Sequence, residues 1–231
     1  MKRLSTSILL ATASFLYAAS AATIQLMPDI TGIEEAGYST AGRLTGSGIT
    51  AADVAGWLGS RADGWYTTTG NGDMRWGSTT ANPADQTLNL PSMNGTQGCC
   101  AGLKMTIDNI QDYSSLTFSF SLTSPSTAST YTYSLWYETS DGEIIQICQD
   151  SRGNDGSPWN VSYNLTPEQL ADLKAYGNGK IYAIIGSQGG NGDQAIIGDL
   201  SLEGLLAIPE PATASLGLFG LAVMMLRRRR V

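Results

Sequence analysis

The 231-residue chain contains no histidine. Ser-His-Asp and Cys-His machinery and histidine-dependent zinc sites are excluded with it. Cysteine is scarce as well: Cys99, Cys100 and Cys148 are the only three, and no Cys-x-x-Cys spacing occurs. Positive charge is thin and unevenly placed. Of 13 basic residues against 20 acidic ones, two lie near the N-terminus and four near the C-terminus. Residues 22–208 therefore hold seven basic and 19 acidic side chains, a net charge of −12. Such a surface repels phosphates and anionic headgroups, which argues against nucleic acid as a partner and keeps an exported domain soluble. Long apolar runs are confined to the two ends.

At the N-terminus, Lys2 and Arg3 precede an apolar run from Ile8 to Ala19, and Ala19-Ser20-Ala21 supplies a small-x-small cleavage pattern. Residues 1–22 read as a secretory signal peptide, with signal peptidase as processing partner. The far end reads as a second address. Pro209, Glu210 and Pro211 break any preceding strand or helix and leave extended, accessible backbone. Residues 212–226 carry no charge, and Arg227, Arg228, Arg229 and Arg230 follow. As a transmembrane helix the uncharged run reaches about 22 Å, short of the roughly 30 Å hydrocarbon core, and snorkelling arginines close the gap. The arginine cluster belongs on the cytoplasmic side and leaves everything before Pro209 outside.

The Pro-Glu-Pro tripeptide, the Gly- and Leu-rich stretch and the arginine cluster resemble the PEP-CTERM sorting signal of Gram-negative bacteria. The resemblance covers the last 23 residues and the signal peptide. It implies an exosortase as partner, an inner-membrane-tethered precursor, and a mature protein at the cell surface or in the extracellular matrix, beside exopolysaccharide production. The expected organisation is signal peptide 1–22, one domain at 23–208, and sorting signal 209–231 with its helix at 212–226.

The domain itself reads as all-β with two short helices. Leu116, Phe118, Phe120 and Leu122 alternate with Ser and Thr, as half-buried strands do. Leu103, Met105 and Ile107 repeat the pattern, as do Tyr131, Tyr133, Leu135 and Tyr137, and Trp159, Val161, Tyr163 and Leu165. Asp141-Gly142 marks a hairpin turn. Further strands fit 180–186 and 195–206. Thr166, Pro167 and Gln169 form the start of a helix that Gly177 ends, and Thr50 caps a second over 51–58. Short strands between Gly, Asn, Asp and Ser clusters predict a β-sandwich, a jelly roll of the galactose-binding-like or lectin-like kind. A Greek-key immunoglobulin-like sandwich is the alternative. Residues 60–98 are the least regular stretch.

Export into an oxidising compartment suggests one disulfide, from Cys100 or Cys99 to Cys148, closing a loop of about 50 residues for roughly 4 kcal/mol. A sugar offers an apolar face to an indole and hydroxyls to polar neighbours. Trp65 and Tyr66 beside Asp63, and Trp76 beside Asp73 and Arg75, offer that mixture, whereas Trp159 shares a face with Val161 and belongs in the core. Asp150, Asn154 and Asp155 lie in one Gly-rich loop, and Asn191 and Asp193 in another, as candidate oxygen ligands for a structural calcium ion. The EF-hand pattern fails there because Arg152 occupies a ligand position. No other cofactor is expected. Glu138, Asp141 and Glu143 cluster around the hairpin as a carboxylate set. The sequence thus predicts an exported surface or matrix protein, structural or adhesive and without catalysis. A carbohydrate-binding module with polysaccharide as partner is the alternative, and a small glycan-active hydrolase comes third.

Overall fold

A computed structural model describes residues 22–36, 49–68, 79–90, 98–123, 129–153, 155–189 and 195–207. The signal peptide, Pro209, Glu210, Pro211, the helix 212–226 and the arginine cluster lie outside the described residues. Among the described residues no helix is long and apolar enough to cross a membrane. Residues Thr23–Ala207 form one compact unit.

Among the described residues, twelve strands and two α-helices follow in order: β1 (Thr23–Gln25), β2 (Glu34–Ala36), α1 (Ala51–Val54), β3 (Gly64–Thr68), β4 (Thr80–Asn82), β5 (Thr87–Leu90), β6 (Gly98–Thr106), β7 (Tyr113–Thr123), β8 (Ser129–Thr139), β9 (Ile144–Gly153), β10 (Trp159–Asn164), α2 (Pro167–Tyr176), β11 (Gly177–Gly189) and β12 (Ala195–Leu206). One sheet has the order β10-β7-β12-β5-β4, with β1 also beside β12. The other runs β2-β3-β6-β11-β8-β9. All pairings are antiparallel except the edge pair β2–β3. From β5 onward the partners nest: β5 with β12, β6 with β11, β7 with β10, β8 with β9. A long hairpin wound over itself so that its partners nest and its strands alternate between two sheets is a jelly roll. The jelly-roll prediction holds, and the immunoglobulin-like alternative falls.

Period-two patterning explains why these residues pair this way. Leu116, Phe118, Phe120 and Leu122 are buried, and the Ser and Thr between them face outward. They meet Tyr131, Tyr133, Leu135, Ile181, Ala183 and Ile185 of the facing sheet in the main core. Trp159 joins it, its ring 6.0 Å from Phe120 and 5.6 Å from Tyr133. The irregular stretch after residue 60 contributes three strands, β3, β4 and β5, of which β4 is an edge.

A second apolar cluster lies on the outer face of the β3-β6-β11-β8 sheet. Val54, Trp57 and Leu58 cover Tyr66, Cys100, Trp136, Tyr182 and Ile184. The Thr50–Asp53 capping box starts α1, and a π-type turn over Ala55–Gly59 continues it, so the predicted helix 51–58 is only half α-helical. The wider turn carries both Trp57 and Leu58 onto the sheet. Gly102 makes this close approach workable, since a Cβ there would stand 2.7 Å from Cη2 of Trp57. The Thr166–Gln169 capping box of α2 forms as expected.

The expected Cys100–Cys148 disulfide is corrected. Cys100 lies on β6 and Cys148 on β9, with β11 and β8 between them. Three strand spacings amount to about 14 Å, twice the Cα separation a disulfide tolerates. The two side chains also sit on opposite faces of the sheet, Cys100 in the outer cluster and Cys148 against the main core. Cys99 is on the same strand as Cys100, so a bridge from it to Cys148 fails on the same separation.

Candidate functional site

The predicted aromatic platform is buried where it is described. Trp65 and Tyr66 are each 4% exposed. Successive strand residues point to opposite faces, and β3 has both faces covered: the main core takes Trp65, and the cluster under α1 takes Tyr66. Tyr66 donates its hydroxyl to the Ala62 carbonyl at 2.9 Å and carries the Arg61 guanidinium over its ring. Little of either ring is exposed, so they form no open aromatic platform, although both border a depression of about 280 Å³ with Glu34 and Asp63. Trp76, Asp73 and Arg75 lie outside the described residues.

In the expected calcium loop, Asp155 is engaged by an ion pair with Arg152 and accepts from the Ser157 amide at 2.9 Å. Asp150 accepts from the Ser151 amide at 2.7 Å. Asn154, Asn191 and Asp193 lie outside the described residues. Among the described residues no three acidic, histidine or cysteine side chains gather in a metal-binding group.

The three carboxylates near the hairpin separate into two environments. Glu138 on β8 accepts from Lys180 at 2.6 Å, from Asn178 at 2.8 Å and from the Tyr182 hydroxyl. Burial pushes its pKa up, but those three donors together outweigh burial and hold it below the usual glutamate value. Burial, followed by the hydrogen bond to Glu138, pushes the Tyr182 phenol up. Next to it Lys104, 5% exposed, donates to the Gly59 and Arg61 carbonyls at 2.7 and 2.6 Å. Its ammonium lies 5.7 Å from the centre of the Tyr182 ring. This network ties the end of the π-type turn to the sheet.

Asp141 and Glu143 instead edge an open depression of about 490 Å³ at the end of the sandwich. Tyr137, Thr139, Ser140, Ile145 and Tyr176 complete its lining. The turn beneath is tightly specified. Gly142 takes a φ of 88°, and its amide donates to the Thr139 carbonyl at 3.0 Å. The Thr139 hydroxyl donates to Asp141 at 2.6 Å and accepts from the Glu143 amide at 2.9 Å. That hydroxyl holds the Asp141 carboxyl below its ordinary pKa. The Ser140 amide donates to the Tyr176 carbonyl at 2.9 Å, which fixes the last residue of α2 against the hairpin.

Tyr176 is 61% exposed, while every other large apolar or aromatic side chain above that rim is buried or partly so. Tyr137, its partner in the lining, is only 7% exposed. Burial first, then Asp172, Glu143 and Tyr176, raise its pKa. The exposed Tyr176 ring at the end of α2 and the carboxylates of the hairpin turn thus border one depression. Sequence reasoning found the carboxylates but not Tyr176. The available signal was its place as the last helical residue before Gly177: it follows the buried Leu170 and Leu173 by helical spacing, at the point where no further turn covers it.

No family model and no curated protein matches the chain. Solved structures do. A family 30 carbohydrate-binding module is 11% identical at a TM-score of 0.40, over 85% of this chain and 96% of its own. A CBM4 structure is 10% identical at 0.39, over 62% and 87%. A family 61 module in complex with β-1,4-galactotriose is 14% identical at 0.37, over 60% and 86%. The jelly-roll assignment rests on the chain's own nested pairing.

Proposed function

We propose that this chain is an exported, non-catalytic carbohydrate-binding protein whose glycan lies in the depression between the β8–β9 hairpin and the end of α2. The observation that carries the reading is Tyr176, 61% exposed beside ionised Asp141 on a turn fixed by Thr139. The ring offers a stacking face, and the hydroxyls and carboxylates pair with sugar hydroxyls. Binding, held second to a structural or adhesive role on sequence grounds, takes first place because a formed site supports it. Its aromatic platform is Tyr176 in place of Trp65 and Tyr66. Hydrolysis fits poorly. A glycosidic general acid needs a raised pKa, and Asp141 is held low.

Tyr176→Ala tests this directly. The side chain is exposed, so folding should survive, while affinity for a bound oligosaccharide falls about ten-fold or more. Glycan-array screening followed by calorimetry reads the change, and unaltered binding in the variant refutes the site.

For delivery, we propose that residues 209–231 act as the exosortase-read address they resemble, and that the mature protein leaves the inner membrane for the surface or matrix. Mass spectrometry of the mature protein should find residues 1–22 and the arginine cluster both missing. A retained tail refutes that reading.

A further inference from the structure

The two ends of the domain are paired with each other. β1 lies antiparallel to the last residues of β12, with Thr23 opposite Leu205, Ile24 opposite Gly204 and Gln25 opposite Glu203. The Leu26 amide donates to the Leu202 carbonyl at 2.7 Å, and the Leu202 amide donates to Oε1 of Gln25 at 3.0 Å. Bonded pairs alternate along an antiparallel ladder, so Ile24 and Gly204 form the next one. On its other side the end of β12 is held by β7, with Leu206 opposite Tyr113 and the Ala207 amide donating to the Asp112 carbonyl at 2.7 Å. Leu26 and Tyr113 close over Gly204, where a Cβ would strike both.

The N-terminal segment is not held evenly. Met27 and Ile30 are buried in the main core, whereas Thr23, Ile24 and Gln25 are all exposed. β1 can therefore leave β12 without drawing those core residues with it, as strand ends with few buried contacts do. With β1 off, residues 203–205 keep a partner strand on one side only and open more readily.

Both expected processing points border this pair in the chain. With residues 1–22 as signal peptide, Thr23 supplies the bond that is cut and pairs with Leu205 only afterwards. Pro209 follows Ala207 by two residues, at most about 7 Å of chain. An enzyme that grips the tripeptide in extended form needs free backbone on both sides of it, and a sandwich paired as far as residue 207 leaves almost none upstream.

Resting on the reading of residues 209–231 as a sorting address, we infer that β1 is a latch on the C-terminal exit. Docked, it withholds the backbone of residues 206–209 from proteolysis, and the sorting cut is made with β1 off β12. Once the tail is gone, the same pairing shields both trimmed ends.

Thr23→Cys with Leu205→Cys locks the latch reversibly. Pairs of this non-bonded kind hold their Cα atoms about 4.5 Å apart, within disulfide range. Two variants loosen it: Ile24→Pro removes a ladder donor, and Gln25→Ala, at an exposed position, removes the acceptor of the Leu202 amide. Thermolysin cuts between residues 205 and 209 of the purified tail-bearing chain are timed by mass spectrometry. The oxidised pair should be cut about five-fold or more slowly than the same pair reduced. Each loosened variant should be cut about 2- to 10-fold faster than the parent, the worth of one backbone hydrogen bond in the open population. Equal rates in the oxidised and reduced pair, or parental rates in both loosened variants, with the fold intact by circular dichroism, overturn the latch. In a Gram-negative host carrying an exosortase, the oxidised pair should accumulate with its tail. Tail loss from it at the parental rate overturns the latch and leaves the sorting reading standing. A tail kept by the parent chain too overturns the sorting reading, and the thermolysin rates then decide the latch by themselves.

Discussion

Trp57→Ala is expected to destabilise the domain by about 3–5 kcal/mol, the usual range for emptying a buried tryptophan site. The indole is 1% exposed and lies between the π-type turn and the backbone of β6. Nothing nearby collapses easily into the space, because its floor is strand backbone at Gly102 and its walls are Tyr66, Trp136 and Tyr182, each held by its own strand. Urea denaturation should show the loss as a lower midpoint with an unchanged slope. Gly102→Val probes the same contact from below. A Cβ at that position meets the indole at 2.7 Å, so the wider side chain must lift Trp57 off the sheet. If Trp57→Ala instead costs less than about 1 kcal/mol, the second cluster is surface decoration, and Tyr182 and Trp136 owe their burial to something else.

That cluster also explains which parts of the molecule were legible from sequence. The inner faces were, because a single core imposes a period of two on β7, β8 and β10, and Phe118, Tyr133 and Trp159 stand where that period puts them. The helix caps were legible too, since Thr50 and Thr166 need only neighbours three residues on. Trp65 and Tyr66 were not. Two adjacent aromatics on one strand must face opposite ways, and sequence alone does not say that a separate segment, the α1 turn, covers the second face. The Cys100–Cys148 pairing failed for a related reason: redox compartment says that bridges can form, whereas nested pairing decides that β6 and β9 are three strand positions apart. The depression was half legible. Asp141-Gly142 announces the turn that carries the carboxylates, but Tyr176 reaches it only through the Ser140–Tyr176 backbone bond between segments distant in sequence.

Lys104 offers a test in which charge and hydrogen bonding separate. Its ammonium is buried, and burial first, then the neighbouring Lys180, lower its pKa. The charge is thus a cost at neutral pH, while the bonds to the Gly59 and Arg61 carbonyls are a gain. Those carbonyls end the π-type turn and have no successor turn to satisfy them. Lys104→Met keeps most of the volume and removes both donors together with the charge, so the losses partly offset and about 1–2 kcal/mol of destabilisation is expected. Lys104→Ala adds a cavity and should cost about 3–4 kcal/mol.

The pH dependence carries the sign. A lysine whose folded pKa is depressed binds fewer protons folded than unfolded over the window just below its ordinary value of 10.5. Stability contributed by Lys104 therefore rises with pH through that window and is smaller below it. Losing the proton sacrifices no bond, because a neutral amine still has two N–H groups for the two carbonyls. The parent protein should gain stability over Lys104→Met between about pH 8 and pH 10, measured as the difference in their denaturation free energies. A difference that stays flat, or shrinks as pH rises, means that the Lys104 ammonium is solvated in the folded protein.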